Sequence, residues 1–131
     1  MNRIPVKVWF DLKHSEGIPK YETTGAAGMD VRANERGTLQ PKETKLIPTG
    51  IYMAIPDGYE VQVRPRSGLS YKTKFRIPNS PGTVDSDYRG ELCVIAENIH
   101  SSVEFNYALG ERIGQIVIKE VPQIVWDPVM S

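Results

Sequence analysis

The chain has 131 residues, the size of one ordinary domain, and 16 basic residues balance 16 acidic ones. That neutrality supplies no global field for DNA, RNA or an anionic membrane surface. The single cysteine, Cys93, excludes an intramolecular disulfide and fits a reducing compartment, so a cytoplasmic location is expected.

The opening run MNRIPVKVWFDLKHSEG alternates and has no apolar signal-peptide core. Within it, Ile4, Val6, Val8 and Phe10 alternate with more polar neighbours and predict a first strand. Pro56-Asp57-Gly58 predicts a turn, with proline presetting φ and glycine taking the positive value. Tyr59, Val61 and Val63 then alternate with Glu60, Gln62 and Arg64 as a second clear strand. A short helical turn is expected to start at Ser67, with Ser67 as its cap. Leu92, Val94 and Ala96 face opposite Cys93 and Ile95, and Ile113–Lys119 reads as a strand more deeply buried. Ten prolines and eleven glycines leave no room for long helices. Many short period-2 runs separated by turns predict an all-β chain with at most one short helix: a sandwich, barrel or jelly roll. No aliphatic run is long enough to span a membrane. There is no internal repeat, low-complexity tract or linker, so residues 1–131 read as a single domain.

The densest chemistry lies in Gly82-Thr83-Val84-Asp85-Ser86-Asp87-Tyr88-Arg89-Gly90-Glu91. Carboxylates, an aromatic ring and an arginine sit between glycines, flanked by strand-like segments. Such a segment is either a solvated turn or a hairpin that grips a nucleotide and activates water beside it. Five cations, Arg64, Arg66, Lys72, Lys74 and Arg76, precede it with no acid among them from Val61 to Val84. A cationic stretch beside carboxylates suits a metal–polyphosphate ligand; a solvated basic face is the plainer reading for each lysine. His14 and His100 stand alone, without zinc-ligand spacing or a nucleophile motif around them. No Walker A loop, nucleophile elbow or dinucleotide fingerprint occurs. Carboxylate-plus-metal chemistry with water as nucleophile is what remains.

Four segments complete the pattern: Ala26-Ala-Gly-Met-Asp30, Arg64-Pro-Arg-Ser-Gly-Leu69, Asn79 through Glu91, and Gly110-Glu-Arg-Ile-Gly-Gln115. In order, spacing and wording they resemble motifs one to four of the homotrimeric deoxyuridine triphosphatases (dUTPases), over about Tyr21 to Ile118. The resemblance implies a distorted β-barrel of jelly-roll type and a homotrimer with sites at subunit boundaries. It implies hydrolysis of dUTP to dUMP and pyrophosphate with Mg2+, which keeps uracil out of DNA. Asp85 resembles the general base. Tyr88 resembles the ring under the deoxyribose. Asn79, Gly82, Thr83, Val84 and the main chain near Cys93 match the uracil and sugar cradle. Arg66, Ser67, Gly68 and Gln115 match phosphate contacts. Asp30 matches a carboxylate that holds metal-bound water, or else it caps a turn after Gly28. Arg112 and Asp87 are expected to pair with each other or with neighbouring subunits, and Arg89 to be structural.

The family's fifth motif, a glycine-rich arm with an arginine and an aromatic, has no counterpart in IVIKEVPQIVWDPVMS after Gln115. Either the arm was cut from this chain, or the protein works without it, with Trp126 the candidate to replace it. Two other readings share the fold. One is a dUTPase-like regulatory protein that binds nucleotide with little turnover. The other is a dCTP deaminase, against which the Asp85–Tyr88 pairing argues.

Overall fold

The computed structural model describes residues 2–131. The alternating segments become ten strands: β1 Lys7–Phe10, β2 Met29–Arg32, β3 Gly37–Leu39, β4 Thr44–Ala54, β5 Tyr59–Arg64, β6 Phe75–Arg76, β7 Gly82–Val84, β8 Glu91–Asn98, β9 Phe105–Tyr107 and β10 Arg112–Glu120. The one helix, α1, spans Ser67–Lys72. Two four-stranded antiparallel sheets form, ordered β1-β4-β8-β6 and β2-β10-β5-β7, with a small β3-β9 ribbon beside them. This is the expected all-β, jelly-roll architecture.

Alternation decides which residues meet. Leu92, Val94, Ala96 and Asn98 of β8 are buried while Glu91, Cys93, Ile95 and Glu97 are half-buried on its other face. The buried sets of both sheets join in one cluster that includes Val31, Ile47, Ile51, Val61, Val63, Val94 and Ile113. Ile113, Gly114, Ile116 and Val117 of β10 are all buried, as the apolar run predicted.

Three sequence expectations change. The helix begins at Ser67, but its cap is Arg66, in extended conformation and without a side-chain capping bond; Ser67 is the first helical residue. Asp30 caps no turn, because it lies within β2 and pairs with Gln115 of β10. The segment Gly82–Glu91 is no hairpin. β7 pairs with β5 in one sheet, whereas β8 pairs with β4 and β6 in the other. The segment therefore arches from sheet to sheet, and its concave side opens between them.

Candidate functional site

That arch forms a cleft of about 280 Å³. Asn79, Gly82, Thr83, Val84, Asp85, Tyr88 and Cys93 line it together, so seven of the sequence-predicted residues meet. Val63, Leu46, Glu91, Leu92 and Ile95 complete the wall and were not singled out from sequence. Leu46 faces Ile95 across the β4–β8 ladder, and only pairing register reveals it. Glu91 was within reach, since it ends the conspicuous decapeptide.

The arch is shaped by its own bonds. The Tyr88 amide donates to the Asp85 carbonyl at 3.1 Å, closing a turn. The Tyr88 hydroxyl donates to the Glu91 carbonyl at 2.7 Å. Arg89 donates to the Ser86 and Tyr88 carbonyls, the structural part expected of it. The Asp85 side chain is exposed, and among the described residues no hydrogen bond or ion pair engages its carboxylate. Burial, then the Glu91 and Glu35 carboxylates, push the Cys93 thiol above its ordinary pKa, so it stays a neutral wall.

A second group gathers elsewhere. Asp30 of β2, Gln115 of β10 and Arg64 of β5 are register partners in one row, so their side chains share a sheet face. Arg66, just beyond β5, turns its Nε onto Asp30 Oδ1 at 3.1 Å. Arg112 approaches Asp30 Oδ2 at 3.8 Å, so its acidic neighbour is Asp30 and not Asp87. Gln115 donates through Nε2 to the Pro65 carbonyl at 3.0 Å. Gly28 makes room for it: a Cβ there would lie 2.6 Å from Gln115 Oε1. Ser67 and Gly68 are exposed at the start of α1.

The expected cationic stretch divides by role. Arg64 donates to Gln62, and Arg76 donates to the Ser70, Thr73 and Phe75 carbonyls; both are structural. Lys72 and Lys74 are exposed, as solvated lysines are. Arg66 alone of the five pairs with a carboxylate among the described residues, that of Asp30.

The two groups do not meet within one chain. β2 and β7 are opposite edges of their sheet, three strand spacings or about 14 Å apart. Val63, which lines the cleft, pairs with Ile116 and Gly82, the row adjacent to the Asp30–Gln115–Arg64 row and pointing to the opposite face.

No group of three or more acidic, histidine or cysteine side chains that could hold a metal is found among the described residues. The Nδ1 of His14 accepts the Glu16 amide, and that of His100 accepts the Ser102 and Val103 amides. Both histidines are thus turn residues. Mg2+ needs no protein cage when it arrives on a triphosphate, keeping its waters and taking one or two carboxylates. Asp30, held by two arginines, fits contact through water. No helix is long and apolar enough to cross a membrane.

The family model described as dUTPase matches residues 15–130. A Fusobacterium nucleatum protein named deoxyuridine 5'-triphosphate nucleotidohydrolase is 53% identical over 128 residues, covering 95% of this chain and 84% of its own length. The protein of that name from Wolbachia pipientis wMel is 47% identical over 132 residues, covering 97% and 86%. Among solved structures, the dUTPase of Staphylococcus bacteriophage 80alpha superposes with a TM-score of 0.86 at 25% identity, over 97% of both chains. A mutant dUTPase from phage phi11 of S. aureus, described with a structural Mg(II) ion, shares the fold with a TM-score of 0.88 at 22% identity, over 98% of both chains.

Proposed function

The chain belongs to the dUTPase family, and we infer that it is a dUTP pyrophosphatase, converting dUTP and water to dUMP and pyrophosphate. The observation that carries this reading is the arch cleft, which brings Asn79, Gly82, Thr83, Val84, Asp85, Tyr88 and Cys93 onto one cavity.

The cleft takes the nucleoside. Main-chain groups of β7 and the start of β8 meet the uracil edge, and a cytosine would leave buried groups unpaired at about 1–3 kcal/mol each. The Tyr88 ring lies against the deoxyribose and leaves no space for a 2′-hydroxyl. The free Asp85 carboxylate takes a proton from the attacking water as oxygen bonds to the α-phosphorus. The bond from that phosphorus to the bridging oxygen breaks, and pyrophosphate leaves with the electron pair.

The triphosphate falls to Arg66, Ser67, Gly68 and Gln115. An ion pair as exposed as Asp30–Arg66 contributes only about 0–1 kcal/mol. A charge-assisted bond from arginine to phosphate is worth roughly 1.5–3 kcal/mol, so Arg66 gains by turning to substrate. Mg2+ arriving with the substrate would neutralise phosphate charge, and Asp30 would hold one of its waters.

The cleft lies at the β7 edge of one sheet, and Asp30 and Gln115 lie on β2 and β10 toward its other edge. That separation supports a site in which one ligand draws on different copies. A closed ring of three copies, with each site between neighbours, provides that arrangement. Pyrophosphate release from dUTP with Mg2+ tests the activity, and ammonia release from dCTP in parallel tests the deaminase reading. Turnover of dUTP without deamination is expected; dUTP binding without turnover would mean the regulatory reading.

A further inference from the structure

The sugar-discriminating ring needs a fixed seat, and the structure shows what builds it. Tyr88 folds back over Gly90: a Cβ there would lie 2.6 Å from the Tyr88 hydroxyl and 2.7 Å from its Cζ. The hydroxyl ends on the Glu91 carbonyl at 2.7 Å. The ring is thus placed by the first residue of β8, and the Glu91 side chain fixes where β8 begins. Its Oε2 accepts the Gly50 amide at 2.9 Å.

Gly50 is itself immobilised. It lies in the irregularity of β4 between Pro48 and Ile51, where the β4–β8 register shifts. Its φ is +73°, and a Cβ would lie 2.6 Å from the Asp11 carbonyl oxygen. Asp11 donates its amide to the Gly50 carbonyl, and Asn34 Nδ2 donates to the Asp11 carbonyl, both at 2.8 Å. Beside it, Thr49 Oγ1 donates to the Leu92 carbonyl. The bulge thus grips the start of β8 at two successive residues. Glu91 also borders a second cleft, on the side of Asp11, Asn34 and Tyr52, so its carboxylate bridges the nucleoside cleft to this rigid wall.

We propose that Glu91 is a positioning residue for sugar discrimination: its carboxylate, anchored on the Gly50 amide, holds the Glu91 carbonyl that seats the Tyr88 hydroxyl. The proposal rests on the reading that Tyr88 packs against the deoxyribose. It assigns the dUTP-over-UTP preference to the β4 bulge as well as to the ring.

The test is the ratio of kcat/KM for dUTP to that for UTP, measured on the full chain with Mg2+, alongside Tm. Glu91→Ala is expected to lower the ratio by roughly ten-fold. Glu91→Gln keeps an oxygen acceptor for the Gly50 amide and should hold the ratio within about two-fold. Glu91→Asp, too short to reach that amide, should behave like Glu91→Ala; it decides the matter if the alanine variant does not fold. Tyr88→Phe removes the hydroxyl and should lower the ratio in the same direction. Combined with Glu91→Ala it should add little, because both remove one linkage. A Glu91→Asp variant with lower Tm and an unchanged ratio overturns the proposal and leaves Glu91 a strand anchor. An unchanged ratio in Tyr88→Ala instead overturns the underlying reading of the sugar seat. A ratio changed in Tyr88→Ala but unchanged in both Glu91→Ala and Glu91→Asp removes Glu91 alone.

Discussion

The nucleoside cleft and the Asp30–Arg66 cluster are built on different principles. The cleft is made of backbone, a ring and a free carboxylate, and its backbone and ring are held by short-range bonds within the arch and by the β4 bulge. The cluster is made of side chains that satisfy one another: Arg66 and Arg112 on Asp30, Gln115 on Pro65. The first is rigid, as a site for a ligand of fixed shape would be. The second holds weak internal partners, and under the proposed function these would be exchanged for phosphate.

Breaking the cleft's chemistry should cost most. Asp85→Asn keeps the shape and removes the base, so kcat should fall by roughly 10²-fold or more while dUTP still binds. Stopped-flow pyrophosphate detection with a parallel binding isotherm checks this, and near-normal turnover would take the base role from Asp85.

Breaking the cluster should cost less and show mainly in substrate affinity. Arg66→Ala should lower kcat/KM by about ten-fold or more. Because the two regions lie toward opposite edges of one sheet, mixing refolded Arg66→Ala and Asp85→Asn subunits should restore part of the activity. Absence of any recovery, with mixed assemblies confirmed by native mass spectrometry, would place both residues in one chain's site.

A milder lesion separates packing from charge. Gly28→Ala inserts a Cβ against Gln115 Oε1. It should raise KM for dUTP a few-fold, roughly as Gln115→Ala does, with kcat changed less. A Gly28→Ala variant with wild-type KM would show that Gln115 reaches the phosphates from another rotamer.

The smallest effect concerns the thiol in the cleft wall. Burial raises the Cys93 pKa in the folded protein, so the folded state favours the neutral thiol. Alkylation should be slow at neutral pH, keep accelerating beyond the ordinary thiol range, and slow further with dUMP bound. Stability contributed by the neutral thiol is present below the unfolded-state pKa and is lost as pH rises through the folded one. Mass spectrometry of iodoacetamide-treated protein follows the reaction. Fast labelling at neutral pH that dUMP does not slow would place Cys93 outside the nucleoside wall.

The strands were readable because period-2 alternation is local. Val61 and Val63, or Leu92 and Val94, declare an inner face whatever sheet they join. The motifs were readable because each is a short contiguous run; residues between Asn79 and Cys93 line one cleft, whereas Asp30, Arg66 and Gln115 are brought together by strand pairing. Pairing partners lie beyond local signals. The decapeptide has the composition of a hairpin, yet β7 and β8 join different sheets, since β5 and β4 offer them apolar faces far along the chain. The neighbour of Arg112 within the chain lies beyond local signals for the same reason: Asp30 meets it only through the β2–β10 ladder.

The amino-acid sequence by itself determined the all-β class and the strand faces, because these depend on residue type and short-range periodicity. Only the tertiary structure decided that the decapeptide is an arch, that two of five cations are spent on neighbouring acceptors, that Glu91 is tied to the β4 bulge, and that β7 and β2 are opposite edges of one sheet. Those depend on register and on which strands share a sheet, which is set by long-range burial.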